Sequence, residues 1–165
     1  MKKYKQSRYD LSGEYGIGYT DITNEKFIFD LEDYHKIKDY CWRKSTNGYI
    51  VEHHSQNGQH IFNYMHRLIT NAPKGMMVDH INHNKSDNRK SNLRVCTHAQ
   101  NSRNMRPHKN RVSGVYWCES RKKYVAQITY KCKTKTLGYF TTENEAIQTR
   151  KQAQDKYFGE FQFKE

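Results

Sequence analysis

Met76-Met77-Val78-Asp79-His80-Ile81-Asn82-His83-Asn84-Lys85-Ser86-Asp87-Asn88-Arg89-Lys90-Ser91-Asn92-Leu93-Arg94-Val95-Cys96-Thr97-His98-Ala99-Gln100-Asn101 decides the reading of this chain. Met76-Met77-Val78 is a short apolar run after the turn residues Pro73 and Gly75, and Leu93-Arg94-Val95-Cys96 is a second run of alternating character. Both read as strands. The segment between them is rich in Asn, Asp, Ser and Lys, which is loop chemistry because such side chains bond their own backbone. The strands are therefore expected to be antiparallel neighbours. Thr97 is a good helix N-cap, and His98 to Asn104 contain neither Gly nor Pro, so a helix follows with Asn101 about one turn inside it.

Such a ββα arrangement is expected to bring the end of the first strand beside the first turn of the helix, where Asp79 and Asn101 would meet across one metal ion. Both offer hard oxygen atoms, which suit Mg²⁺, with Mn²⁺ as the alternative. Zinc would more often use several His or Cys ligands. His80 adjoins Asp79 and on a strand points to the opposite face unless the strand end twists.

The pattern, with Asn92 standing 12 and Asn101 21 residues after His80, resembles the catalytic core of the HNH nucleases. That resemblance implies a metal-dependent endonuclease. In the family this His approaches the scissile phosphate as general base, a role that suits an imidazole titrating near neutrality. The metal would stabilise charge growing on the phosphate and the leaving 3′ oxygen. Asn92 resembles the family's central Asn, whose amide braces the loop and orients the His. His66, in Tyr64-Met65-His66-Arg67-Leu68-Ile69, stands in a run that leads into the motif in similar proteins, and it either approaches the active site or orients its members. His83, His98 and His108 lack any such pattern and read as solvated or phosphate-contacting residues.

A second resemblance lies downstream. Gly114-Val115-Tyr116-Trp117, Tyr124-Val125-Ala126-Gln127-Ile128, Leu137-Gly138-Tyr139-Phe140, then Glu145-Ala146 and Gly159 look like an AP2/ERF-type DNA-binding domain. From the residues themselves, three short aromatic and β-branched segments separated by Arg121-Lys122-Lys123 and Lys131-Cys132-Lys133 predict a three-stranded antiparallel meander. Thr142-Glu143-Asn144-Glu145 has the form of a capping box, and Ala146, Ile147, Arg150, Ala153 and Tyr157 recur at helical spacing up to Gly159. The helix is expected to cover Ala126, Ile128 and Leu137. Alternation then turns Val125, Gln127, Thr129 and Lys131 outward beside Tyr116, Thr134 and Thr136, and such a face can read a DNA groove. The plant-type pattern carries several Arg on the first strand, where this chain has Tyr116 and Cys118, so the family's base contacts do not transfer. A small basic domain that grips only phosphates is the plainer reading of the same residues.

Composition points the same way. The 165 residues hold 29 Lys and Arg against 17 Asp and Glu, a net charge of +12, which attracts and steers a polyanion. Arg94 lies inside the first motif, Arg103, Arg106, Lys109 and Arg111 follow it, and Arg121 and Lys123 flank a turn of the second; all are expected to contact DNA. Arg106 to Arg111 reads as a polar linker. Hydrophobic residues make up only 35% of the chain, so its cores are expected to be modest. No stretch approaches the ~20 apolar residues that span a bilayer, and no signal-peptide core follows the basic start. Cys41, Cys96, Cys118 and Cys132 form no CxxC pair, and reduced thiols are expected.

Before the first motif, Tyr15-Gly16-Ile17-Gly18-Tyr19-Thr20 and Lys26-Phe27-Ile28-Phe29 predict a strand pair, and Leu31 to Lys38 a short helix capped by Asp30. Trp42 and Gly48-Tyr49-Ile50-Val51 predict a β-ribbon ending at Tyr64 to Ile69. The expectation is an α+β protein: a ββα-metal nuclease module over 1–110, with its motif core at 64–104, and an AP2-like sheet packed on one helix over 111–165. Its function would be homing-type nicking of double-stranded DNA by a cytoplasmic monomer or weak dimer, of the kind found in phages and mobile introns. A catalytically idle DNA-binding regulator is the alternative, and an RNA-directed nuclease the third reading.

Overall fold

The computed structural model describes residues 7–104 and 114–161. By its contacts the chain divides into two units, 1–98 and 99–165.

The N-terminal unit opens with an antiparallel sheet of β1 (Arg8–Asp10), β2 (Gly16–Tyr19) and β3 (Lys26–Phe29). Gly16 stands opposite Phe29 and Gly18 opposite Phe27. A Cβ on Gly16 would lie 2.4 Å from the Phe29 ring, and one on Gly18 2.2 Å from the Phe27 ring. Both rings are buried, so the glycines leave the space that the rings fill.

A 3-10 turn, Leu31–Asp33, leads into α1 (Tyr34–Ile37). The helix is where the sequence places it, but Asp30 does not cap it through its side chain. Its carboxylate instead accepts from the backbone N–H of Lys90 at 2.7 Å, because a distant loop competes for the same acceptor. A second sheet follows, formed by β4 (Arg43–Lys44), β5 (Ile50–Gln56) and β6 (Gln59–Tyr64). The β5–β6 hairpin closes through Asn57 (φ 52) and Gly58 (φ 76), the left-handed pair that a tight two-residue turn requires.

Chain direction then reverses through α2 (Met65–Thr70), which ends at left-handed Asn71. β7 (Met77–His80) pairs antiparallel with β8 (Leu93–Cys96), as the two apolar runs require. One core joins these pieces: Phe27, Phe29, Ile37, Trp42, Ile50, Met65, Ile69, Val78 and Leu93 are all buried in it. The indole N–H of Trp42 donates to the Ile37 carbonyl at 2.9 Å, so the largest core ring carries no unpaired polar atom.

After β8 the chain forms α3 (His98–Arg103). Arg106, His108, Lys109 and Arg111 lie outside the described residues. In the C-terminal unit β9 (Val115–Cys118), β10 (Lys123–Tyr130) and β11 (Lys133–Phe140) form an antiparallel meander with β10 in the middle. α4 (Glu143–Phe158) starts at Thr142, where hydroxyl and Glu145 carboxylate close both halves of a capping box. It packs on all three strands, over buried Ala126 and Ile128, with its own Ala146, Arg150 and Ala153 buried. Leu137 is only half-buried, because the pairing register skips it: Ala126 faces Gly138 and Gln127 faces Thr136.

Val125 departs from expectation. It is 2% exposed although it alternates onto the outer face. Its register partners there are Tyr116 and Tyr139, and two large rings flanking one small side chain cover it. No helix among the described residues is long and apolar enough to cross a membrane, and all four cysteines are unbridged.

Candidate active site

Three elements of the N-terminal unit converge on His80. α2 supplies His66 from its first turn, β7 carries Asp79 and His80 at its end, and the 81–92 loop folds back over them. Arg67 anchors the approach. Its guanidinium donates to the carbonyls of Met76 (2.7 Å), Ala72 (3.1 Å) and Pro73 (3.0 Å), tying the 71–76 turn to the helix that holds His66.

The loop is held just as firmly. The Asn92 side chain accepts from the Asn82 N–H at 2.9 Å and donates to the Asp87 carbonyl at 2.8 Å, spanning the loop with both ends of one amide. β3 meets it from the other side: the Ile28 N–H donates to Ser86 O at 2.9 Å, and the Asn88 N–H to Ile28 O at 2.8 Å. Asp87 takes Arg89 in a two-pronged pair at 2.9 and 2.7 Å. Burial works to raise its carboxyl pKa, but the Arg89 hydrogen bonds outweigh it and the net shift is downward. The polar run from Asn82 to Asn88 is thus a cross-braced loop.

His80 is 5% exposed. Its Nε2 lies 3.4 Å from Asn88 Oδ1, and its ring meets His66 edge-on at 5.2 Å and Tyr49 at 5.9 Å between centroids. Burial pushes its pKa below the ordinary histidine value, against the raising pull of Asn88 and Asp79. His66 is packed more tightly, against Tyr49 (5.0 Å) and Tyr64 (5.5 Å). Its Nδ1 is buried without a hydrogen-bond partner. Burial first, and the neighbouring His80 second, lower its pKa to about 3. Both imidazoles are therefore neutral bases near pH 7.

Asp79 is 7% exposed. Its Oδ2 accepts from Arg94 Nε at 2.8 Å and Nη2 at 2.6 Å, and the two residues are register partners on β7 and β8. The guanidinium expected on DNA is thus turned inward, largely buried, against the expected metal ligand. A divalent ion would have to compete with this guanidinium for the carboxylate. Among the described residues no group of three or more His, Cys, Asp and Glu is placed to hold a metal. Asn101 lies on α3 in the C-terminal unit, half-buried.

Tyr49 and Asn88 carried no signal in the sequence, yet both belong to this centre, and so does Lys85, which the sequence marks only as one of the basic residues around the motif. The Lys85 ammonium lies 4.3 Å from the Tyr49 ring centroid. An Asn in an Asn-rich loop and a Tyr on a ribbon look like any others until the fold brings them to His80.

In the C-terminal unit the outer sheet face is polar at one end and aromatic at the other. Gln127 donates to Thr136 at 3.3 Å, and Thr129 and Thr134 share a bond of 2.9 Å. Tyr116 is 48% exposed, and Arg121 stacks 4.5 Å from the Tyr139 ring centroid. Lys123 and Lys131 are exposed at the turns. Arg103 instead lies over the rings of Tyr130 and Phe158, 5.3 and 4.9 Å from their centroids.

Comparison with known proteins gives three findings. A family model described as HNH endonuclease matches residues 63–103. The uncharacterized HNH endonuclease L560 of Acanthamoeba polyphaga mimivirus is 33% identical over 132 residues, which cover 79% of this chain and 70% of the relative. A solved structure of DNA binding and cleavage by the HNH homing endonuclease I-HmuI aligns over 92% of this chain and 88% of that one, with 18% identity and a TM-score of 0.36.

Proposed function

This chain belongs to the HNH endonuclease family, and from that premise we propose that it is a Mg²⁺-dependent DNA endonuclease that nicks duplex DNA through His80. The observation that carries the reading is the buried, neutral His80 on a strand end beside the Asp79 carboxylate, under a loop braced by Asn92.

The contact of Nε2 with Asn88 Oδ1 orients the imidazole that would accept a proton from the attacking water. His66 and Tyr49 pack the ring so that it cannot rotate away. Asp79 would hold the metal, and the sequence pattern assigns Asn101 as a further oxygen donor. Bound there, Mg²⁺ supplies positive charge to the phosphate oxygens as negative charge grows on them. Arg94 shares the carboxylate and fixes its orientation.

The outer sheet face of the C-terminal unit is the targeting surface in this reading, in the manner of an AP2-like domain. Gln127, Thr129, Thr134 and Thr136 would face base edges, while Arg121, Lys123 and Lys131 would hold phosphates. One such active site per chain predicts single-strand cleavage by a monomer or weak dimer in a cytoplasmic compartment, with Mn²⁺ able to replace Mg²⁺.

The test is conversion of supercoiled plasmid to open circles by wild type with Mg²⁺, by wild type with EDTA, and by His80→Ala. Nicking that needs both metal and His80 is the expected result. Binding of a random duplex library without any cut would leave the idle regulator standing instead.

A further inference from the structure

One face of the β5–β6 hairpin carries an aromatic ladder that starts at the active centre and ends in solvent. The pairing register puts Val51 opposite Tyr64, His53 opposite Phe62 and Ser55 opposite His60, so these residues share a face. Rings touch at its inner and at its outer end. Tyr64 lies 5.5 Å from His66 between centroids. Farther out, Phe62 stacks on His53 at 4.6 Å and His53 on His60 at 5.0 Å, with interplanar angles of 29° and 27°. His53 and His60 are also joined by a ring nitrogen contact of 2.9 Å, which fixes both rings in that stack.

Packing does not account for the outer half of this ladder. Phe62 is 54% exposed, whereas a ring placed for the core would be covered. The inner half instead borders a cleft of about 430 Å³, whose walls include the Ser45–Asn47 turn, Tyr49, His66 and Met77. Arg67, also on its wall, is committed to three backbone carbonyls, so the cleft offers flat rings more than charge. Lys85 stands beside two of the cleft's wall residues, over the Tyr49 ring and donating to Asn47 O at 2.8 Å.

We propose that this hairpin face is a stacking platform for unpaired nucleobases flanking the scissile phosphate, seated on Phe62 and Tyr64 beside the His80 centre. The proposal rests on the nuclease reading for its choice of substrate. Stacking on aromatic rings accepts any base, because every base has a π-face, and it rewards a base that has left its duplex. The occupant follows from continuity with the catalytic centre and from the excess of positive charge on the chain, +12, which draws a polyanion to it. Unstacking a nucleotide there would open the backbone at the bond to be cut.

The experiment uses the full chain in EDTA with a DNA duplex holding one extrahelical 2-aminopurine, whose fluorescence falls when it stacks. Anisotropy of a dye on the same duplex reports binding separately. Wild type and Phe62→Tyr are expected to quench the base several-fold on binding. Phe62→Ala, a change at an exposed position, is expected to bind the duplex through its other contacts while losing most of the quench, and to lose roughly 10-fold in affinity for the extrahelical over the fully paired duplex. Equal quench by Phe62→Ala, or none by bound wild type, overturns the platform. A face that takes a protein partner instead would give that second result. Because no metal and no cleavage enter the assay, absence of quench by bound wild type with its plasmid nicking intact defeats only this proposal, and absence of nicking by wild type with its quench intact defeats only the nuclease reading.

Discussion

His66 shows what burying an imidazole costs and what the cost predicts. Its ordinary pKa of 6.5 falls to about 3 in the folded chain, chiefly through burial. Above pH 6.5 the side chain is neutral whether folded or unfolded, so it makes stability no function of pH. Below 6.5 the unfolded chain binds a proton that the folded chain refuses, and stability falls as pH drops toward 3. At pH 5 this amounts to about 2 kcal/mol from His66, with His80 adding in the same direction. Urea unfolding at pH 7.5 and pH 5 should therefore show a large loss for wild type and a smaller one for His66→Phe, which keeps a ring but cannot titrate. Equal losses in both proteins would place the acid sensitivity elsewhere. Asn92 yields a second prediction. Asn92→Ala strands the Asn82 N–H and the Asp87 carbonyl at about 1–3 kcal/mol for each buried group. The loop that positions Asn88 against His80 loosens with it, so nicking should fall even where the chain remains folded, as circular dichroism and the plasmid assay together would show. The sequence announces Asn92 through its spacing from His80. It gives no comparable sign of Asn88, because what singles out that Asn among its loop neighbours is the meeting of its side chain with His80, in a loop bonded to β3 some sixty residues away in sequence.

Elements were legible where their periodicity was local. The apolar runs of β7 and β8 and the capping box of α4 each lie within a few residues, and each stands where the sequence places it. β1, with only Arg8–Asp10, is too short to show a period, and it exists because β2 offers it an edge. Asp30 reads as a cap by its position, yet the loop around Lys90 takes its carboxylate. Val125 follows the alternation and is still buried, since alternation sets direction while neighbours set exposure. Gly16 and Gly18 are the clearest case of an element specified from across a sheet. They sit in a strand, where glycine weakens pairing, and the reason lies in the Phe29 and Phe27 rings packed over them. Gly18→Ala should cost about 1–3 kcal/mol through overpacking, because Phe27 is 1% exposed and has nowhere to move. Gly13→Ala is the matched control: its Cβ would meet nothing closer than 3.6 Å. A shift in urea midpoint for Gly18→Ala but not for Gly13→Ala checks this, and equal midpoints would refute the ring-over-glycine account.

At the scale of the whole molecule the proposed function divides two tasks between the units, chemistry in one and grip on DNA in the other, and salt separates the kinds of grip. A phosphate contact releases counterions, so affinity falls with salt by a slope proportional to the number of phosphates held. A base contact leaves that slope nearly unchanged and instead alters preference among sequences. The outer face of the C-terminal sheet carries both sorts of side chain in separate places: Lys123 and Lys131 at the turns, Gln127 and the threonine pairs on the strands. Lys123→Ala and Lys131→Ala should each reduce the slope of log K against log salt by about 1 and weaken binding to every duplex alike. Gln127→Ala should preserve the slope and flatten preference across a randomised duplex library. The outcome also decides between two readings of this unit. If Gln127→Ala changes neither slope nor preference, the sheet serves only as a scaffold for its basic turns, and sequence choice passes to the hairpin and loop around His80.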